Sequence, residues 1–329
     1  MHSVILERSN EHAVNCLTGV YSKSAEKLGH FLPEHAIFSR GDGYLFQAGT
    51  DEQGSPEFTF PVEETGAAGV ARSGFTLRQK SIRVDHLYDD LEVLLDSYQS
   101  AAVWVNTAFL GYAEVYSSNP PYLHAILIES IAPDHSGVFV LDTLIVGNTP
   151  QSATAFLSTS DLKAAITNEV HTESHGGMGY FYTIARSADS AVSEGDALKD
   201  QSRKFFADAR FSNGVRQYRD LCFDAFEAKP LRSNAARRLF HHSSVLYLTP
   251  SLSLLSRALI NLGGSGSLQD KNSQIIRHWQ AMGVLALRFE ATESPRVLDR
   301  IDERFELIRR ATEEFWAELS EGSPFFPED

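Results

Sequence analysis

The sequence is poor in the residues and patterns that mark several common classes of protein. Its 329 residues include only two cysteines, Cys16 and Cys222, in unlike contexts, which excludes a disulfide framework and favours a reduced, cytoplasmic protein. No apolar run of about 18 residues suits a membrane-spanning helix. The N-terminus "MHSVILERSNEH" lacks the charged start, apolar core and cleavage site of a signal peptide.

The spacing signals of a metal site are also missing. Neither a CxxC pair nor an HExxH helix occurs. His171 and His175 are four residues apart, but glycines follow them and no carboxylate completes a set of ligands. We therefore predict no metal ion.

Positive charge is scarce. There are 29 lysines and arginines against 43 acidic residues, which gives a net charge of -14. Because nucleic-acid binding depends on many phosphate contacts from Lys and Arg, we predict no nucleic-acid partner. The apolar share of 43% is enough to bury a sizeable interior, and the length favours two modules.

What the sequence does contain is a cysteine at the start of a helical stretch. Small and polar residues precede Cys16 in "SNEHAVNCLTGVYSKSAEKLG", and helical character continues to Gly29. The free amides and the dipole at a helix N-terminus favour a thiolate there. Asn10, six residues earlier, is a candidate to join the Cys16 amide in binding an oxyanion. Alternatively, Cys16 is a small buried hydrophobe, as most free cysteines are.

A histidine and an aspartate lie in a predicted β-hairpin further along the chain. The segment "LHAILIESIAPDHSGVFVLDTLI" predicts strands over 123–130 and 138–146, joined by a short turn. Pairing across this turn can bring Asp142 alongside His124, although a single histidine at a strand start is more often a surface or capping residue. A cysteine nucleophile needs a base and a group that orients the base. The candidate catalytic residues are therefore Cys16, His124 and Asp142.

These motifs resemble the butirosin biosynthesis protein H type of acyltransferase, over most of residues 10–165. In this family a cysteine begins a helix and an acidic residue follows 18 positions later, as Glu34 follows Cys16 here. An apolar pair, a glycine-punctuated turn and an aromatic strand come next, as in "AIFSRGDGYLFQA". His124 and Asp142 match the later part of the pattern. The sequence departs where the family has a histidine directly before the cysteine, because Asn15 occupies that position.

The resemblance implies an α+β fold with two domains. Residues 1–168 would form a papain-like catalytic domain, with the nucleophile helix packed on an antiparallel sheet, and residues 169–329 a helical domain. It also implies that an acyl group passes from a carrier-protein thioester to Cys16 and then to an amine of a natural-product precursor. No cofactor would be bound, and phosphopantetheine would serve as the substrate arm.

An acyl carrier protein is the partner that the resemblance implies. Because such carriers are acidic and this chain is acidic too, docking would need a local basic patch. Two clusters are candidates, although charge clusters are usually solvated faces: Arg72, Arg78, Lys80 and Arg83, and Arg232, Arg237 and Arg238.

Two other functions are open at this point. The same three residues are typical of a papain-like cysteine peptidase or amidohydrolase, in which water replaces the amine. The chain is also compatible with a non-catalytic binding or scaffold protein, in which Cys16 is merely buried.

Overall fold

The computed structural model describes residues 3–51, 53–147, 149–170 and 178–321. Within these ranges the strands are β1 (Val4–Ser9), β2 (Gln47–Thr50), β3 (Pro56–Thr59), β4 (Phe75–Ser81), β5 (Ala101–Asn106), β6 (Leu123–Ile131), β7 (Gly137–Ile145), β8 (Gln151–Ser158) and β9 (Tyr180–Arg186). The helices are α1 (Cys16–Lys27), α2 (Glu34–Arg40), α3 (Val62–Arg72), α4 (Leu87–Tyr98), α5 (Glu114–Ser118), α6 (Thr159–Thr167), α7 (Glu194–Ala207), α8 (Ala209–Ser212), α9 (Gly214–Glu227), α10 (Arg232–Phe240), α11 (Leu248–Asn261), α12 (Gly266–Thr292) and α13 (Pro295–Glu321).

Seven strands form one antiparallel sheet in the order β1-β8-β7-β6-β5-β9-β4. The pair β2 and β3 forms a separate two-stranded sheet. The predicted α+β class is confirmed, as is a helical region toward the C-terminus.

Helices cover both faces of the seven-stranded sheet. On one face α4 and α6 pack against Val103 and Ile126, and on the other α1 and α3 pack against Trp104 and Ala125. Successive side chains of a strand point to opposite faces, so a strand covered on both sides must be apolar throughout. This explains why all of β5 and the first six residues of β6 are buried.

The chain divides into two compact units that are not the predicted 1–168 and 169–329. One unit consists of Met1–Ile37 and Val62–Ala191, and the other of Phe38–Pro61 and Val192–Asp329. The boundary falls after Ala191 and not after residue 168, because β9 lies between β5 and β4 in the sheet. The unit with the seven-stranded sheet is also not one continuous stretch of chain, because the segment with β2 and β3 belongs to the helical unit.

Aromatic side chains fill the core of the helical unit. Phe58 of β3 stacks on Tyr218 of α9 with ring centroids 5.1 Å apart, and Tyr218 in turn contacts Phe305 of α13. Trp279 and Phe305 are also buried in this core. In the described part of the chain, no helix is long and apolar enough to cross a membrane.

Candidate active site

Cys16 is the first residue of α1, so the prediction that it begins a helix is confirmed. Asn15 caps the helix, and its Oδ1 accepts hydrogen bonds from the amides of Leu17 at 2.9 Å and Thr18 at 3.2 Å. Among the described residues the Cys16 amide has no acceptor. The half-buried Cys16 thiol therefore lies beside a backbone donor that is available to a ligand.

Glu34 fixes the loop that leads into this helix. Its carboxylate accepts hydrogen bonds from the amides of Val14 at 2.8 Å and Asn15 at 2.9 Å, and from the hydroxyl of Thr18 at 2.7 Å. A negative charge is favourable near a helix N-terminus. The acidic residue that follows Cys16 by 18 positions thus determines the backbone geometry just before the cysteine.

Close packing on β7 sets the position of α1. A Cβ atom at Gly19 would overlap Ala13 Cβ and would lie 2.6 Å from Thr143 Oγ1, so only glycine fits there. The Ala13 amide donates to the Thr143 carbonyl at 2.8 Å, and the Thr143 hydroxyl donates to the Cys16 carbonyl at 3.3 Å. These contacts tie the first turn of the helix to the strand that carries Asp142.

The predicted hairpin is present as β6 and β7, and it contains a bulge. Near the turn Ile131 pairs with Val138, whereas further along Leu127 pairs with Leu141. The register shifts by one residue between Ile128 and Ser130, which makes Glu129 the extra residue.

The bulge decides whether the histidine and the aspartate share a face. With the register of the turn continued unchanged, Asp142 would stand opposite Leu127, whose side chain points away from the face of His124. The one-residue shift places Asp142 opposite Ile126 instead, one diagonal step from His124 and on the same face. The two side chains are hydrogen-bonded, with 2.8 Å between His124 Nε2 and Asp142 Oδ1.

The Cys16 side chain lies close enough to His124 for its charge to act on the imidazole. Because Nε2 bonds to Asp142, the nitrogen that remains for the thiol is Nδ1. Burial lowers the pKa of His124, but the negative charges of Asp142 and Cys16 more than offset this and raise the pKa above its usual value. The charged imidazolium form is therefore stabilised beside the sulfur.

Asp142 is fully buried and accepts four hydrogen bonds. Its Oδ2 accepts from the hydroxyls of Tyr112 at 2.9 Å and Tyr116 at 2.5 Å, while its Oδ1 accepts from His124 and from the Leu144 amide at 3.2 Å. Burial raises the pKa of Asp142, but His124 and the two tyrosines lower it below its ordinary value. Asp142 is therefore held as a carboxylate.

The tyrosines were not predicted as part of the site. Their segment, "FLGYAEVYSSNPPY", suggests only a loop at the rim of a cleft, whereas Tyr112 and Tyr116 are buried beneath Asp142. The one available signal was their spacing of four residues shortly before His124. A third ring, Tyr122, lies edge-on to His124 with centroids 6.2 Å apart.

The candidate oxyanion residue Asn10 is in an exposed bend directly after β1. Among the described residues no hydrogen bond connects it to Cys16, His124 or Asp142. The Cys16 amide is the oxyanion donor that the geometry supports, and a role for Asn10 stays a prediction.

Most of the basic side chains proposed for carrier docking have acidic partners within their own unit. Lys80 and Arg83 both pair with Asp90, at 2.9 and 2.5 Å. The second cluster is paired as well, with salt bridges from Arg232 to Glu293, from Arg237 to Glu290, and from Arg238 to Asp51 and Glu57. These pairs reduce the positive charge that either cluster offers to an acidic partner.

No group of three or more His, Cys, Asp or Glu in the described ranges could hold a metal ion. His171 and His175 lie outside those ranges.

The fold and the site define an α+β protein with a cysteine at a helix N-terminus, near a histidine that is hydrogen-bonded to a buried aspartate. No protein-family model matches the chain, and no curated protein matches it at a significant level. The assignment of function therefore depends on the geometry of the site and on the sequence motifs.

Proposed function

We propose that this protein is a papain-like, cysteine-dependent acyltransferase that forms an acyl-enzyme on Cys16. The observation that supports this most directly is the connected series of Cys16, His124 and Asp142. A nucleophile, a base and an orienting carboxylate in hydrogen-bonding order are the arrangement that covalent acyl transfer requires.

In the first half of the reaction, His124 Nδ1 holds the proton of the Cys16 thiol in an ion pair with the sulfur. The resulting thiolate attacks the carbonyl carbon of an acyl thioester, and the carbonyl oxygen becomes an oxyanion. The free Cys16 amide at the N-terminus of α1 stabilises that oxyanion. Collapse of the intermediate expels the carrier thiolate, which receives the proton from His124, and leaves an acyl group on Cys16.

In the second half, an amine attacks the acyl-enzyme. His124 accepts the proton that the amine loses and returns it to the departing Cys16 sulfur, so that the free enzyme is restored and an amide is released. Asp142 keeps the same imidazole geometry in both halves because its hydrogen bond to Nε2 leaves Nδ1 directed to the sulfur.

The resemblance to the butirosin biosynthesis protein H type of acyltransferase supports transfer over hydrolysis. It favours a phosphopantetheine thioester on an acyl carrier protein as donor, and an amine of a natural-product precursor as acceptor. Binding the amine at the acyl-enzyme makes its attack effectively intramolecular, which is how an amine competes with water. The proposal places the reaction in the cytoplasm.

The experiment is to incubate the protein with a model acyl thioester and to follow Cys16 by intact mass. We expect an acyl adduct on the wild-type protein and none on Cys16→Ala. His124→Ala should form the adduct more slowly, by a factor on the order of 10² to 10⁴, because proton transfer is lost. Amines are then added, and the products show whether the acyl group leaves to amine or to water.

Cys222→Ala is the matched control, since Cys222 is buried in α9 and burial raises the pKa of its thiol. This variant should acylate like the wild type. Release of free acid in the presence of every amine would identify a hydrolase instead. An adduct that persists in Cys16→Ala, or iodoacetamide labelling of Cys16 no faster than that of Cys222, would refute catalysis by Cys16.

A further inference from the structure

Within the described ranges, every group that is hydrogen-bonded to the Asp142 carboxylate acts as a donor. Tyr112 and Tyr116 donate to Oδ2, and His124 Nε2–H and the Leu144 amide donate to Oδ1. An ionised carboxylate can accept all four bonds, because it has two oxygens with two lone pairs each. A protonated carboxyl or an amide would instead point a hydrogen at one of these donors.

The two tyrosines stay protonated, and so remain donors, at every pH at which the protein would work. Burial raises the pKa of both phenols well above the ordinary value, and the charge of Asp142 raises it further. The oxygen of Tyr116 also lies 3.1 Å from His124 Nε2. Having donated its own hydrogen to Asp142, this oxygen can share the Nε2 hydrogen with the carboxylate, which fixes that hydrogen on Nε2.

We propose that Tyr112 and Tyr116 are positioning residues that hold Asp142 as an anion and thereby keep Nδ1 of His124 directed to Cys16 as the pH falls. The inference depends on the proposed function, since it concerns the same site. It also explains why position 142 holds aspartate, whereas papain-like proteases use asparagine as the third residue. The amide NH₂ of an asparagine could be accepted only by a phenol oxygen, and that phenol would have to turn its own O–H away from residue 142.

The first test measures the rate at which iodoacetamide alkylates Cys16 as a function of pH. The proteins are the wild type, Tyr112→Phe, Tyr116→Phe and the double variant. Loss of the two O–H donors raises the pKa of Asp142, so we expect the acidic limb of the profile to move to higher pH. A shift of about one pH unit in the double variant would lower the rate about tenfold at a pH on that limb.

Tyr88→Phe is the matched control. Tyr88 packs against the same core cluster and bonds to Thr159 at 2.5 Å, so the control removes a similar hydroxyl that does not touch the site. It should leave the acidic limb in place. An unmoved limb in the folded double variant would overturn the proposal.

The second test is a cycle of unfolding measurements that needs no reaction at Cys16. We expect Asp142→Asn to lower the free energy of unfolding. The same substitution should lower it clearly less in a protein that already carries Tyr112→Phe and Tyr116→Phe. Additive effects would overturn the inference. If Cys16 forms no acyl adduct, the proposed function fails, but this cycle still decides whether the tyrosines require an anion at position 142.

Discussion

His124 keeps its charge inside the protein because two negative groups lie beside it. Burial alone lowers the pKa of an imidazole, and the charges of Asp142 and Cys16 together raise it to about 10. Asp142 stabilises the imidazolium on one side, and a charge on the Cys16 sulfur stabilises it as well.

The raised pKa of His124 predicts how stability changes with pH. The value is about 6.5 in the unfolded chain and about 10 in the folded protein. Its contribution to stability is therefore complete below about pH 6.5 and is lost as the pH rises through about 10. We expect the difference in unfolding free energy between the wild type and His124→Gln to shrink over that range in urea denaturation. His86→Gln, at an exposed position, is the control. A difference that grew with pH would contradict the prediction.

Single residues were predictable only where their chemistry shows in a local pattern. Cys16 follows a capping sequence, and His124 and Asp142 interrupt apolar runs, so each is conspicuous in the sequence. Tyr112 and Tyr116 are not, because tyrosines are common in cores and their role depends on a carboxylate more than 25 residues away. Asn10 was chosen from spacing alone, which does not determine where a side chain in a bend points.

At the level of elements, the hairpin was predicted to within one residue at each end and the bulge was not. The observed strands are Leu123–Ile131 and Gly137–Ile145, against predictions of 123–130 and 138–146. Alternation and turn residues are local signals and define such strands. The extra residue Glu129 leaves no signal, because "LHAILIESI" is buried on both faces through its first six residues and has no alternation to interrupt.

The contact between α1 and β7 leads to a prediction about Gly19. Because a Cβ atom there would overlap Ala13 and Thr143, Gly19→Ala must push the helix away from the strand. We expect a loss of about 1 to 3 kcal/mol in unfolding free energy. Alkylation of Cys16 should also slow, by up to about a hundredfold, since a small displacement separates the thiol from His124.

The control for this prediction is Gly49→Ala in β2, where a Cβ atom would meet nothing within 4 Å. It should change stability and labelling little. Denaturant unfolding measures the first effect and iodoacetamide labelling the second. A Gly19→Ala protein with wild-type labelling would show that this packing does not position Cys16.

At the level of the whole molecule, the sequence predicted two modules but not their composition. The change toward helical periodicity near residue 170 is a local feature, and it suggested the boundary. The position of β9 beside β5 depends instead on pairing between segments about 80 residues apart, which periodicity does not reveal. Likewise the aromatic residues of 38–61 pack among helices that follow residue 191, and this is a long-range contact.

The net charge leads to the last prediction. The chain carries -14 overall, and salt bridges already occupy five of the seven basic side chains in the two clusters. An acidic carrier protein would therefore be repelled at long range. Salt shortens the Debye screening length from about 10 Å at 0.1 M to about 3 Å at 1 M.

We expect KM for a carrier-bound thioester to fall as salt is added. KM for a neutral pantetheine thioester, the control, should stay constant. A carrier KM that rises steeply with salt would instead require a basic docking surface, and charge reversal at Arg78 would then test whether the first cluster forms it.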